Sequence, residues 1–295
     1  MIEDHGIVLI RKAHAEGRLT FHDGPLPYFS FPDLDRAGLL NGFTTRLGGV
    51  STGPYASLGL SPKLEPPGIV QENYRRIGET LGFDAKRAVL TAQTHSANIR
   101  MATEEDAGKG PFYARDYDRV DGLFTDVPDL PLVGVSADCP LVLLYDPVNR
   151  VCGIAHSGWK GTVQRIAEKL LRAMHEACDT RPEQVYAAVA PSICGDCYEV
   201  GEEVMDAFRE AFGVFRTGFF TRPSANEGKY LLDLWEANRS VLVAAGVPKD
   251  RIRLPDVCTK CNPGLFYSHR VSGFERSLQG AFLMIRKPGA ADPAS

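Results

Sequence analysis

The chain has no apolar run approaching the ~20 residues that a membrane-spanning helix requires. It also lacks a basic start followed by an apolar stretch. Met1-Ile2-Glu3-Asp4-His5 is acidic, so the expectation is a cytoplasmic protein with no secretory signal and no membrane partner. Positive charge is not in excess. A formal net charge of −4 argues against a bulk nucleic-acid or membrane-surface binder, which would show a basic balance. Histidine is scarce, at seven residues. Cysteine also numbers seven, and an odd count argues against a complete disulfide framework. Reduced thiols are free to bind metal or do chemistry. There is no internal repeat and no low-complexity linker. The one stretch that reads as disordered is the Pro-, Gly- and Ala-rich tail, 287–295.

What is present suits a globular enzyme. The chain has 295 residues, 44% hydrophobic and 24% charged, enough to bury a sizeable core. A 3.6-residue apolar period predicts helices over 69–81, 162–178, 201–212, 231–245 and 274–285. The clearest is 162–178, where Val163, Ile166, Ala167, Leu170, Leu171, Met174 and Cys178 share a stripe. Short apolar runs bounded by Asp, Pro, Asn or Gly predict buried strands over 131–135, 141–145, 151–155 and 185–190. Residues 18–31 suggest an edge hairpin around Asp23-Gly24, and the Gly-, Ser- and Thr-rich 45–55 reads as a loop. Helices and strands mix without βαβ alternation in the first half. The fold expected is α+β: a single catalytic domain over 1–286, with a mixed β-sheet core flanked by helices.

Three segments carry chemistry: Gln93-Thr94-His95-Ser96, Ala137-Asp138-Cys139-Pro140 and Ala155-His156-Ser157-Gly158-Trp159-Lys160-Gly161. Cys139 and His156 follow apolar strands, where binding sites in sheets often gather. Two imidazoles and a thiolate suit zinc, and three protein ligands leave a fourth tetrahedral position open, as catalytic sites do. The spacings of 44 and then 17 residues match no short metal motif. On the residues alone, the other reading is that Cys139 is a small core residue and the two histidines are loop residues with hydrogen-bond roles. A second pattern pairs Cys194-Gly195-Asp196-Cys197 with Cys258-Thr259-Lys260-Cys261. Four thiolates suit a structural zinc, yet 60 residues separate the pairs, far beyond a zinc ribbon, so packed turn cysteines remain the other reading. Arg46 in its Gly-rich loop, Lys160 at the expected start of the 162–178 helix, and Arg270 are candidates for an anion subsite, or else solvated charges. Asp138 is either a proton acceptor or a turn residue. Trp159 and Tyr55 either stack on a base or pack.

The three segments in this order resemble the multicopper polyphenol oxidase (laccase) domain family. The resemblance extends through Gly42-Phe43-Thr44-Thr45-Arg46-Leu47-Gly48-Gly49-Val50-Ser51 and Gly53-Pro54-Tyr55. It continues through Asn73 with Arg75-Arg76, Asp121-Gly122-Leu123-Phe124-Thr125, Ala190-Pro191-Ser192-Ile193 and Cys197-Tyr198-Glu199-Val200-Gly201. Cys258-Thr259 and Phe266-Tyr267-Ser268-His269-Arg270 complete it, so it covers roughly 41–286. It implies that His95, Cys139 and His156 are both catalytic residues and the ligands of one zinc ion. It also implies a purine nucleoside phosphorylase acting on adenosine, inosine and 5′-methylthioadenosine with phosphate, and an adenosine deaminase activity at the same site. A homodimer is an expectation of the resemblance alone. Multicopper oxidation needs many imidazoles. Of the seven here, His5, His14, His22 and His175 lie outside the motifs. Copper would still enter an N/S site in vitro, since it binds such sites more tightly than zinc. Lys160 stands where the family usually has Arg, His269 where an aromatic residue is usual, and 271–276 only loosely follow the final motif. These departures bear on substrate preference. The alternatives are a Cys139-nucleophile hydrolase or amidase acting on a cell-wall precursor, a copper-dependent phenol oxidase, and a metal-holding interaction protein without activity.

Overall fold

Two large β-sheets pack face to face, with helices on the outer face of each. This computed structural model describes residues 8–12 and 19–287. Of the tail expected at 287–295, all but Lys287 lies outside the described residues, as do His5 and His14. The first sheet runs in the order β1 (Thr20–His22), β2 (Tyr28–Ser30), β3 (Leu39–Thr44), β15 (Gln279–Ile285), β7 (Leu132–Ser136) and β4 (Val89–Leu90). The second runs β14 (Ile252–Arg253), β10 (Tyr186–Val189), β8 (Leu141–Asp146), β9 (Val151–His156), β6 (Gly122–Thr125) and β5 (Ile99–Met101). Both are mixed. A small third sheet orders β11 (Glu199–Val200), β13 (Tyr230–Leu232) and β12 (Thr221–Pro223). The helices are α1 (Pro32–Arg36), α2 (Pro67–Leu81), α3 (Trp159–Val163), α4 (Ile166–Cys178), α5 (Glu202–Phe212), α6 (Val214–Thr217), α7 (Leu234–Ala244) and α8 (His269–Ser272). No helix among the described residues is long and apolar enough to cross a membrane.

The layering follows from alternation along the strands, whose side chains point to opposite faces in turn. In β8, Leu141, Leu143 and Tyr145 face the other sheet and meet Phe29, Phe43 and Leu283. The alternate residues Val142 and Leu144 face outward onto Leu170 and Met174 of α4 and Val241 of α7. β15 does the same: Ala281, Leu283 and Ile285 face inward, while Phe282 and Met284 meet Val70, Tyr74 and Ile77 of α2. The mixed core flanked by helices is as expected, but it is built from two large sheets and not one. The 18–31 hairpin is present as β1 and β2, antiparallel at the edge of the first sheet.

Three helix expectations need correction. Residues 274–285 do not form a helix, because 279–285 is strand β15, every residue of it buried. A strand covered on both faces reads as a continuous apolar run, and such a run has no periodicity to separate it from a buried helix. Residues 231–245 begin as β13 and become helical only after Asp233, whose carboxylate caps the amides of Trp235 and Glu236. Residues 162–178 are not one helix. Arg165 takes a left-handed φ of 56°, ending α3 and letting α4 start at Ile166. Lys160 therefore does not open the long helix, and it cannot draw on that helix's N-terminal field.

Leu283 is fully buried at the centre of β15, which pairs antiparallel with β3 and β7. Leu283→Ala should cost about 2–5 kcal/mol, read as a lower urea midpoint at unchanged slope. A cost under about 0.5 kcal/mol would contradict this central placement.

Candidate metal centre

Two strand registers and one buried carboxylate bring the predicted ligands together. The chain leaves the first sheet at Ser136, the end of β7, and enters the second at Leu141, the start of β8. Cys139 lies on this crossover. Leu141 pairs with His156, the last residue of β9, so the crossover passes beside the His156 ring. On the other side of β9, Gly122 of β6 pairs with Ala155, which sets Asp121 beside His156. The Asp121 carbonyl accepts the His156 amide at 2.8 Å, and its carboxylate Oδ1 bonds His156 Nδ1 at 3.0 Å. The donor atoms of His95, Cys139 and His156 lie within 4.8 Å of one another, and the two rings stand edge-on with centroids 4.8 Å apart. His95 is exposed, Cys139 half-buried and His156 buried, so the cluster opens toward solvent on the His95 side.

Asp121 also builds the His95 loop. Its two oxygens accept the amides of Thr94 (2.9 Å), His95 (3.0 Å) and Ser96 (2.9 Å), and the Ser96 hydroxyl (2.8 Å). His95 itself has a left-handed φ of 62°, a conformation costing a side-chain-bearing residue roughly 1–2 kcal/mol. The amide bonds to the buried carboxylate hold it there. Burial opposes the charge on Asp121, but the bonds from His156, Thr94 and Ser96 outweigh it and bring its pKa down to about 2. A carboxylate that only accepts fixes the proton of His156 on Nδ1, leaving Nε2 with a lone pair for the cluster.

Cys139 and His156 act on each other. Burial would raise the thiol pKa, yet the His156 charge, with hydrogen bonds from His156 and His95, lowers it to about 6. Burial likewise opposes the His156 charge, and the Cys139 thiolate and Asp121 outweigh it, raising His156 to about 9. Without metal, each group thus favours the charged form of the other. A Cβ on Gly158 would lie 2.9 Å from Cys139 Sγ and 3.7 Å from His95 Cδ2, so only glycine leaves the space beside the donors clear. A tetrahedral ion with N and S ligands at ~2.0–2.3 Å needs donors about 3.3–3.8 Å apart. The three donor atoms, all within 4.8 Å of one another, lie close enough to reach one such ion with small side-chain adjustments, and their chemistry suits zinc.

Asp138 stands as a turn residue. It has φ 86° and is buried; its Oδ1 accepts Thr259 Oγ1 at 2.6 Å, and Oδ2 accepts Ser268 Oγ at 3.0 Å and the Arg270 amide at 2.7 Å. The candidate cations are dispersed around the cluster. Arg270 is exposed, donates to the Glu199 carbonyl at 2.9 Å and lies 5.2 Å over the Tyr198 ring. Lys160 is exposed, 5.4 Å over the Trp159 ring, and Trp159 packs half-buried against the cluster containing Met205 and Phe208. Arg46 gives Nε and Nη2 to the Ala56 carbonyl and Nη1 to that of Pro263, and sits 4.6 Å over the Tyr267 ring. Tyr267 in turn donates its hydroxyl to the Tyr55 carbonyl. Arg46 thus clamps its own loop. Arg276, for which the motifs suggest no role, lies within electrostatic reach of Asp138 and Cys139, and its buried Nε has no hydrogen-bond partner among the described residues. Asp121 and Gly158 were likewise present in motifs but without a role. A lone Asp ahead of an apolar strand carries no signal until strand pairing puts it beside a histidine.

Gly158→Ala should lower metal affinity by roughly 10–100-fold, measured by chelator competition, because Cys139 must move aside. Unchanged affinity would show that the glycine is not needed for the cradle. In metal-stripped protein, alkylation of Cys139, located by peptide mass spectrometry, should follow an apparent pKa near about 6. Reaction should fall away below that pH as the thiol becomes protonated. A midpoint at the ordinary thiol value, ~8.5, would mean that His156 does not stabilise the thiolate.

The family model described as multi-copper polyphenol oxidoreductase laccase matches residues 40–286. Purine nucleoside phosphorylase YlmD of Bacillus subtilis (strain 168) is 36% identical over 237 residues, covering 79% of this chain and 83% of that protein. Adenosine deaminase RL5, from an unknown prokaryotic organism, is 36% identical over 200 residues, 65% of this chain and 73% of its own. The crystal structure of YlmD from Geobacillus stearothermophilus aligns with a TM-score of 0.82 at 33% identity, covering 95% of this chain and all of that one. With one family model spanning most of its length and relatives alike in both sequence and fold, the chain belongs to the multi-copper polyphenol oxidoreductase laccase family.

Proposed function

We propose that this chain is a zinc-dependent purine nucleoside phosphorylase, acting on adenosine, inosine and 5′-methylthioadenosine, that also deaminates adenosine. The observation that carries the reading is the convergence of His95, Cys139 and His156 in a solvent-open cluster, in a chain similar to proteins named for these two activities. When bound, zinc held by the three donors supplies Lewis acidity at one open position. In phosphorolysis, a phosphate oxygen forms a bond to the sugar C1′ as the bond to the purine nitrogen breaks, and negative charge passes to the leaving base. In deamination, water adds at C6 and ammonia departs. Asp121 keeps the His156 lone pair aimed at the cluster, and the crossover holds Cys139 in place. Arg270, Arg276, Lys160 and Arg46 form the phosphate side. Arg270 reaches Asp138 through its backbone amide and Arg276 lies within electrostatic reach of it, while Arg46 acts mainly by holding its loop. Residues 1–286 serve as one catalytic domain, supported by the pairing of late strand β15 with early strand β3. A reducing cytoplasm suits the ligand thiol. Against a multicopper phenol oxidase stands the ligand supply: among the described histidines, only His95 and His156 take part in a metal-suited cluster.

Incubation with each nucleoside, with and without phosphate, followed by chromatography, should give free base and sugar 1-phosphate only when phosphate is present. Inosine should form from adenosine in either case. Base release indifferent to phosphate would rule out phosphorolysis. Arg270→Ala and Arg276→Ala should each raise the phosphate requirement roughly tenfold, the loss of about one charge-assisted hydrogen bond. Arg46→Ala should lower thermal stability first.

His95→Ala, Cys139→Ala and His156→Ala should each lose the zinc of this cluster and lower turnover by about 100-fold or more. The Cys139-nucleophile reading forecasts otherwise: Cys139→Ala would abolish turnover without changing metal content. Zinc content measured beside turnover on the three variants separates the two.

A further inference from the structure

Away from this centre, a second group of donors converges. Cys194 and Cys197 lie in the loop after β10, and Cys258 and Cys261 in the loop after β14. In sequence the pairs are far apart. In the sheet, however, β10 and β14 are parallel neighbours, with Ala187 beside Ile252 and Ala188 beside Arg253. Parallel strands end at the same edge, so both Cys-x-x-Cys loops start from one place. A bridge between Ser192 and Cys258 and the Thr259 amide bonded to the Ser192 carbonyl (3.2 Å) carry the pairing onward. The four sulfurs lie within 4.8 Å of one another, with Cys197 and Cys261 Sγ 3.5 Å apart and all four cysteines free.

We propose that Cys194, Cys197, Cys258 and Cys261 bind a second zinc ion as four thiolates, a closed structural site that fastens the β10 and β14 loops together behind the Cys139 crossover. A tetrahedral ion with metal–sulfur bonds of ~2.3 Å requires sulfurs about 3.8 Å apart, and the cluster has that scale. The two turns offer their sulfurs as zinc-binding loops do. The Cys197 and Tyr198 amides bond back to the Cys194 carbonyl (2.9 and 3.1 Å), and the Cys194 amide donates to Cys258 Sγ at 3.3 Å. An N–H directed at sulfur stabilises thiolate charge. Four thiolates around a dication leave two negative charges. The Lys12 ammonium, held by Asp196 at 3.1 Å, lies within electrostatic reach of Cys194 and Cys261 and offsets part of that excess. Binding displaces the thiol protons to solvent and changes no oxidation state. A redox dithiol would need only one Cys-x-x-Cys pair, and it would leave the convergence of the other two sulfurs unexplained.

The position gives the ion a task. The same two loops hold Asp138: the Ile193 amide donates to its carbonyl at 2.9 Å, and Thr259 Oγ1 to its carboxylate at 2.6 Å. Asp138 directly precedes Cys139. The second ion thus steadies the segment that carries the thiolate of the first centre while making no contact with substrate.

The test is metal content, with each centre removed in turn. In the variant His95→Ala, Cys139→Ala, His156→Ala, purified under reducing conditions, about one zinc per chain should remain and resist mild chelation. Cobalt reconstitution of that variant should give the thiolate-to-cobalt charge-transfer absorption and strong visible bands of a tetrahedral all-sulfur site. In Cys197→Ser, Cys261→Ser, the half-buried members of the cluster, zinc should fall by about one per chain and the thermal midpoint should drop. If this variant does not fold, the cobalt spectrum of the first still decides. A first variant free of metal, with all four thiols titratable or joined as disulfides, would overturn the proposal. Loss of zinc in the cysteine pair alone, with none lost on removing the histidine–cysteine triad, would uphold this site and sink the proposed catalytic zinc.

Discussion

The Asp121 carboxylate is the interaction on which the centre depends. It is fully buried, and an unpaired buried charge would cost several kcal/mol or more. Here the charge is met by three backbone amides, a hydroxyl and an imidazole. These are the groups that form the His95 loop and orient His156, so stabilising the anion and assembling two donors are one event. Asp121 can sit between them because β6 and β9 pair in the register that opposes Gly122 to Ala155. A shift of one residue would turn the carboxylate to the other face of the sheet.

A second buried carboxylate repeats this design for the third donor. Asp138 draws in Thr259, Ser268 and the Arg270 amide, from the loop after β14 and from the approach to β15, and so fixes the crossover between the sheets. Each donor segment is thus tied down by an acid just outside the ligand set. The left-handed backbones of His95 and Asp138 both lie in these segments. Strain of that kind persists only where surrounding bonds overdetermine the conformation, and here the carboxylates provide the bonds.

The chemistry fits this rigidity. The donors occupy fixed elements, while one side, at His95, remains open, and Gly158 keeps side-chain atoms out of the space beside Cys139. Arg46 is committed to backbone carbonyls, whereas Arg276 lies within electrostatic reach of Asp138 and Cys139 and has a buried Nε without a hydrogen-bond partner among the described residues. Clustered imidazoles for several coppers are absent among the described residues, so the family's descriptive label and the ligand chemistry of this chain point in different directions.

The sequence by itself determined the donor types, the strands at 131–135, 141–145 and 151–155, and the helices at 69–81 and 201–212. Each rests on local rules: which atoms bind zinc, and which apolar period fits which element. Motif order also marked His95, Cys139 and His156 as one set. Tertiary structure alone decided the rest. Residues 279–285 became a strand because sheet one needed a central partner between β3 and β7, and burial on both faces erased the period that would have revealed it. The helix expected over 162–178 broke at Arg165, a point that no apolar stripe marks. Asp121 acquired its role through a strand register, Gly158 through the approach of Cys139, and the four distant cysteines their proximity through the parallel pairing of β10 and β14. Such contacts join residues far apart along the chain. Local pattern carries no record of them, because side-chain chemistry is written residue by residue, whereas proximity arises only when the sheets form.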